Sequence, residues 1–180
     1  MPITKFISST AVEVLRQKAR KLKRERSITH TQALDEIAVS AGFNHWHQVI
    51  QANDLMKPSE VALSLGCVMA FDIKEGMDVN TSDGVLIEDR FLSILTETQL
   101  FEFYANFPDE EDEQNRPLKE MLSDSELHGS FEDFHSSLMY FRLAESHANK
   151  PLKKVLTVAQ RYSFWMPEYI WLHGGFVYYR

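Results

Sequence analysis

The chain has 180 residues, 44% of them apolar and 25% charged, the balance of an ordinary globular protein. No apolar run approaches the ~20 residues that a membrane-crossing helix needs, and the opening MPITKFISST lacks the apolar core of a secretory signal. The single cysteine, Cys67, excludes an internal disulfide framework, so the expected compartment is the cytoplasm.

The charge is unevenly spread. Residues 1–53 carry 8 Lys/Arg against 4 Asp/Glu, whereas residues 54–180 carry 11 against 22, within an overall charge of −7. A basic first segment on an acidic body fits a module that faces nucleic acid, and equally one that docks on an acidic protein. Overall acidity argues against nonspecific nucleic-acid binding by the body.

The first predicted helix runs from Thr10 to about Arg26. Thr10 and Glu13 are spaced as a capping box, and Val12, Leu15, Ala19 and Leu22 recur at steps of three and four as one apolar stripe. Arg16 and Arg20 lie four apart on another face, with Lys18, Lys21, Lys23 and Arg24 nearby. Thr29 and Gln32 form a second capping box, opening a helix whose inner face is Leu34, Ile37, Ala38 and Ala41. Gly42 is a natural stop because it tolerates positive φ. Asn44 caps a third helix with Trp46, Val49 and Ile50 inside. The pattern is helix, glycine-phenylalanine turn, helix, the grammar of a helix-turn-helix.

A linker is expected around Asn53–Pro58. Beyond it, GCVMAFDI (66–73) and DGVLIEDRFL (83–92) read as strands around a turn at Asn80–Gly84. Thr96-x-x-Gln99 opens a helix to about Asn106, and PDEEDEQNRP (108–117) is a charged loop. Two helices follow, the second including 131–146. From Pro151 the chain reads as two or three strands, broken at Pro167 and Gly174–Gly175. The expected fold is α+β: a three-helix module over 1–53, and a mixed body over 60–180 with mainly antiparallel strands.

Residues 10–53 resemble a short helical module found at the N-terminus of many bacterial proteins, often plasmid- or phage-borne, some of them named as glyoxalase-related. The shared pattern runs through Leu15, Ala19, Leu22, Thr29, His30, Gln32, Ala33, Leu34, Ile37, Ala38, Gly42, Phe43 and Trp46. The resemblance covers about a quarter of the chain and implies a bacterial protein of a mobile element. Glyoxalase activity is not implied: it needs His and Glu ligands spread over paired βαβββ units, and this body is too short for the usual pair. DEIAVSAGFNHWHQVI is also similar to the first helix-turn-helix of arabinose-regulator-type transcription factors.

If the third helix enters a major groove, His45, His47, Gln48 and Gln51 are its outward side chains, and Arg16, Arg20, Lys23 and Arg24 supply phosphate contacts. That helix contains no Arg or Lys, the commonest specific base readers, which favours a docking role over base reading. His45 and His47 diverge by about 200° if both are helical, so joint metal ligation is poor. His128 and His135, seven apart, lack a third ligand. DVNTSDGVLIED (78–89) misplaces the glycine of a calcium loop and is better explained by an Asp-Gly turn. Cys67 lies in an apolar run that predicts an inert, buried thiol. No catalytic, cofactor or metal motif is present, so a nonenzymatic role is expected, the alternative being an enzyme whose site residues lie apart in the sequence.

Two body features remain. Asp109, Glu110, Glu111, Asp112 and Glu113 form an acidic run that could present carboxylates to a basic partner, as an inhibitor or antitoxin does. Trp165, Tyr169, Trp171 and Tyr178 would mark a protein interface if exposed together. The predicted partners are a protein, with duplex DNA through the N-terminal module as the other candidate, and the body either binds protein or self-associates.

Overall fold

A computed structural model describes residues 5–109, 111–144 and 149–177. The chain forms two compact units, Met1–Glu60 and Val61–Arg180. The fold is α+β, with eight helices and one five-stranded antiparallel sheet among the described residues.

The first unit contains α1 (Ser9–Arg26), α2 (His30–Ser40) and most of α3 (Trp46–Leu65). The cap of α1 lies two residues before the expected one. Ser8, not Thr10, accepts the Ala11 N–H at 3.2 Å, which leaves Glu13 free to pair with Arg16 and Arg20. The Thr29–Gln32 capping box is formed in full. At the other end of α2, the Phe43 N–H bonds the Ala38 carbonyl and the Gly42 N–H bonds that of Val39. This is a Schellman stop, and Gly42 takes its left-handed position with φ +84°. Val12, Ala38, Phe43, Val49 and Ala52 form the core of the unit. The expected inner position Ala41 is exposed, and Ala33 is buried in its place.

The linker expected at Asn53–Pro58 is helical, because α3 runs through Pro58 and the boundary between units falls within it. Proline costs a helix one N–H and crowds the preceding turn. Here Ala52, Asn53, Met56 and Ser59 are all buried, so packing of the inner face outweighs that cost.

The second unit is built on strand order β2-β3-β1-β4-β5, with β1 Cys67–Asp72, β2 Leu86–Glu88, β3 Leu138–Leu143, β4 Tyr169–Leu172 and β5 Gly175–Phe176. A short α4 (Ile73–Gly76) follows β1, α5 (Phe91–Ala105), α6 (Leu118–Met121) and α7 (Asp124–Ser136) lie between β2 and β3, and α8 (Leu152–Tyr162) precedes β4. Cys67, Met69 and Phe71 face one side of the sheet and pack with Val155, Ala159 and Tyr162 of α8. Val68 and Ala70 face the other side and pack with Leu92 and Leu100 of α5 and Phe131 of α7. The sheet is thus covered by helices on both faces.

Four expectations are corrected here. The turn at Asn80–Gly84 exists, with Gly84 at φ +72°, but β1 and β2 do not form a hairpin because β3 lies between them. Helix α5 starts at Phe91, and Thr96 is a buried mid-helix residue whose hydroxyl donates to the Leu92 carbonyl. The helix expected over 131–146 stops at Ser136, and LMYFRL becomes β3, pairing with β1 from Val68↔Arg142 to Asp72↔Leu138. The strand expected after Pro151 is α8 instead. Gly42→Ala should lower stability by about 1–2 kcal/mol, the cost of holding an L side chain in the left-handed region. Urea unfolding followed by circular dichroism checks this, and an unchanged midpoint would show that the Schellman stop is dispensable.

Candidate functional site

The charged face of α1 is the first candidate. This helix carries seven Lys/Arg against two Glu. Arg16 pairs with Glu13 at 3.5 Å and Arg20 with the same carboxylate at 3.8 Å, while Lys21 reaches Glu25 at 3.8 Å and Arg26 reaches Glu36 at 2.9 Å. All of these pairs are solvent-exposed and contribute little. Lys18, Lys23 and Arg24 are exposed and have no ion pair among the described residues. The macrodipole accounts for some positive charge in the last turn, at about 0.3–1 kcal/mol per side chain. It gives no reason for Lys18, or for the continuation of the cationic strip back to Arg16.

The structure joins that strip to the start of α3. The Arg16 guanidinium lies 6.0 Å from the Trp46 ring centroid. Trp46 donates its backbone N–H to Asp35 Oδ1 at 2.8 Å, a cap that the sequence pattern does not announce. His45 lies ahead of the helix and not in it. Its ring therefore stacks near that of His47, 6.2 Å between centroids, instead of diverging. His45 Nδ1 accepts the Gln48 N–H at 3.2 Å, and Gln48 Oε1 accepts the Asn44 N–H at 2.8 Å. Two of the four candidate base-reading side chains are thus occupied in holding the helix start. His47 and Gln51 remain exposed.

Sequence reasoning missed Asn53. It is 4% exposed and donates to the Ile7 carbonyl at 3.0 Å and to Ser9 Oγ at 3.1 Å, while the Ser9 N–H donates to Glu60 Oε1 at 2.7 Å. The available signal was an amide in the inner stripe Val49, Ala52, Met56. Beside this knot, Phe6, Ile7, Ala11, Val14, Leu15 and Phe43 line an open apolar groove of about 590 Å³.

The acidic loop is more self-contained than its sequence suggests. A bridge between Pro108 and Pro117 closes it, and Asp109 N–H bonds the Arg116 carbonyl at 2.9 Å. Asp109 Oδ1 accepts the Glu111 N–H at 3.0 Å. Asp112, its side chain 9% exposed, accepts both the Nε and Nη2 of Arg116, at 3.1 and 2.8 Å. The hydrogen bonds from Arg116 hold the Asp112 carboxyl down at about 2. Glu111 and Glu113 are exposed, and Glu110 lies outside the described residues. The loop therefore does not display its acids as a single array.

The remaining candidates have structural partners. Tyr169 and Trp171 are buried in the core, Trp165 is exposed, and Tyr178 lies outside the described residues, so the four aromatics are not exposed together. His128 Nδ1 lies 2.8 Å from the Asp124 carbonyl and His135 Nε2 3.0 Å from that of Ser93. In the former calcium-like stretch, Tyr162 donates its hydroxyl to Asp83 at 2.5 Å and Arg142 pairs with Asp89 at 2.9 Å. No cluster of three or more His, Cys, Asp or Glu side chains suited to a metal occurs among the described residues. Cys67 is buried, and its thiol is pushed up to about 12 by that burial, which leaves it unreactive.

A depressed carboxyl contributes stability above its unfolded-state pKa and loses it as pH falls through the folded-state value. The Asp112–Arg116 fork should hold down to about pH 4 and be lost toward pH 2. Carboxyl-carbon titration by NMR should place Asp112 near 2, and Arg116→Gln should return it to the ordinary aspartate range. An unmoved midpoint in the variant would remove Arg116 as the cause. No protein-family model matches this chain, and no curated protein and no solved structure matches it either.

Proposed function

We propose that this is a nonenzymatic bacterial accessory protein of a mobile element, working in the cytoplasm by macromolecular binding. Its N-terminal unit is the docking element for an anionic partner. The observation that carries this reading is the α1 strip, in which Lys18, Lys23 and Arg24 are exposed and unpaired among the described residues beside the Arg16–Trp46 contact. Exposed cations outside any ion pair attract anionic surfaces from a distance and speed encounter. No helix of the described residues is long and apolar enough to cross a membrane.

The start of α3 serves docking and not base-specific reading. His45 and Gln48 are used as caps, and the first turns of α3 hold no Arg or Lys. The inhibitor reading, in which an acidic loop blocks a basic enzyme, retains Glu111 and Glu113 as exposed carboxylates, whereas Asp109 and Asp112 are bonded within the loop.

The double substitution Lys23→Glu with Arg24→Glu tests the proposal. Pulldown from the native host with the full chain should capture a partner that the variant loses, and nuclease treatment reports whether that partner is nucleic acid. If it is, duplex binding by the wild type should weaken with salt, with a log–log slope reduced by about 2 in the variant. Equal capture by both proteins would overturn the assignment to α1.

A further inference from the structure

A second cationic surface lies inside the acidic unit. Residues 146–167 contain no Asp or Glu, yet carry Lys150, Lys153, Lys154 and Arg161, within a body of 22 acidic against 11 basic residues. Helix α8 turns Val155, Ala159 and Tyr162 into the core, so Lys153, Lys154 and Arg161 stand on its exposed side. Among the described residues no ion pair engages any of these four cations. Asp83, which lies close enough to feel Arg161, is occupied by the Tyr162 hydroxyl.

Directly beyond α8 come two aromatic side chains more exposed than any other Phe, Tyr or Trp among the described residues of this unit. Phe164 is 89% exposed and Trp165 44%, with their rings packed edge to face at 5.0 Å. Their backbone is fixed on both sides. The Tyr162 carbonyl accepts the Asn80 N–H at 2.8 Å, the Ser163 N–H bonds the Ala159 carbonyl at 2.9 Å, and Ser163 Oγ accepts the Trp165 N–H at 3.0 Å. After the buried Pro167, the Glu168 N–H bonds the Ala70 carbonyl at 2.7 Å. The pair is therefore held in solvent by an ordered segment, forgoing the gain that burial would bring.

We propose that the outer face of α8 and the Phe164–Trp165 pair form a binding site for single-stranded nucleic acid. The cations hold phosphates and the aromatic rings stack unpaired bases. Positive charge along a short track with an aromatic platform at its end is the combination that single strands require. A duplex offers the same phosphates but hides its base faces, so it gains nothing from the rings. Lys153 and Arg161 are about 12 Å apart along the helix axis, a span suited to a few nucleotides. The acidity of the whole chain does not forbid this, because charges beyond about 8 Å are largely screened at physiological salt. This site is independent of α1.

The test is fluorescence anisotropy of the full chain with labelled oligothymidylate at low salt, against an abasic oligomer of equal length and against polyglutamate. Oligothymidylate should bind with strong salt dependence, and the abasic oligomer about tenfold more weakly. Phe164→Ala with Trp165→Ala should cost about tenfold or more, and Lys153→Glu with Lys154→Glu should abolish binding. Because Lys153→Glu with Lys154→Glu leaves the α1 cations unchanged, retained binding in that variant would assign the oligomer to α1 and overturn the proposal. No binding at low salt, equal affinity for the abasic oligomer or for polyglutamate, or indifference to the aromatic substitutions would overturn the proposal. Phe164→Ser, changing the more exposed ring alone, supplies the same reading should the double variant unfold.

Discussion

The second unit depends on the burial of β1 on both faces. Cys67 through Phe71 are fully buried, and alternate residues enter different cores. Each further element answers a demand that this strand creates. Its two edges need backbone partners, supplied by β3 and β4 in antiparallel register. Its faces need apolar cover, supplied by α8 on one side and by α5 and α7 on the other. An antiparallel sheet often leaves one face to solvent with alternating polar residues. Here that alternation is missing, and the run CVMAF is its signature.

Polar side chains fasten the seams between these layers. Asp89 is the most consequential: one oxygen accepts the Phe91 N–H at 3.0 Å, at the start of α5, and the other takes Arg142 of β3. Both side chains are well shielded, 7% and 18% exposed. Removing one member of such a buried pair costs about 3–5 kcal/mol, because the other charge is left uncompensated. Asp35, Asp83 and Asp112 are likewise occupied, by the Trp46 N–H, the Tyr162 hydroxyl and Arg116. These four aspartates therefore fasten the chain to itself, and of them only Asp112 belongs to the run that reads as a display of acids.

Legibility in the sequence followed the range of the interaction. The Thr29–Gln32 box and the stop at Gly42 are decided within a few residues and were readable. The strand at β1 was readable from its continuous apolar run. LMYFRL was not, since five apolar or aromatic residues around Arg142 suit either a helix or a strand and pairing with β1 decided the matter. The richness of the last thirty residues in Val, Phe, Tyr and Trp suits strands, but the spacing Leu152, Val155, Ala159, Tyr162 puts one face of a helix on the sheet. At the candidate site, Arg16 and Trp46 stand thirty residues apart and belong to different helices in the sequence pattern. Their approach to 6.0 Å is a tertiary fact.

The same distinction of range governs how charge should be read. A net value sums over distances much larger than a Debye length, whereas a partner senses the charges in its own neighbourhood. In the acidic loop, Arg116 neutralises the best-shielded carboxylate, so the local field is weaker than five consecutive acids imply. Along α8 the opposite holds, for three cations without an ion pair among the described residues stand in an acid-free stretch of an acidic body. The α1 strip lies between these cases, partly compensated by Glu13 and Glu25 and partly open. Affinity for an anionic partner should therefore follow the unpaired cations on each face, and the formal charge of the chain is a poor guide to where such a partner lands.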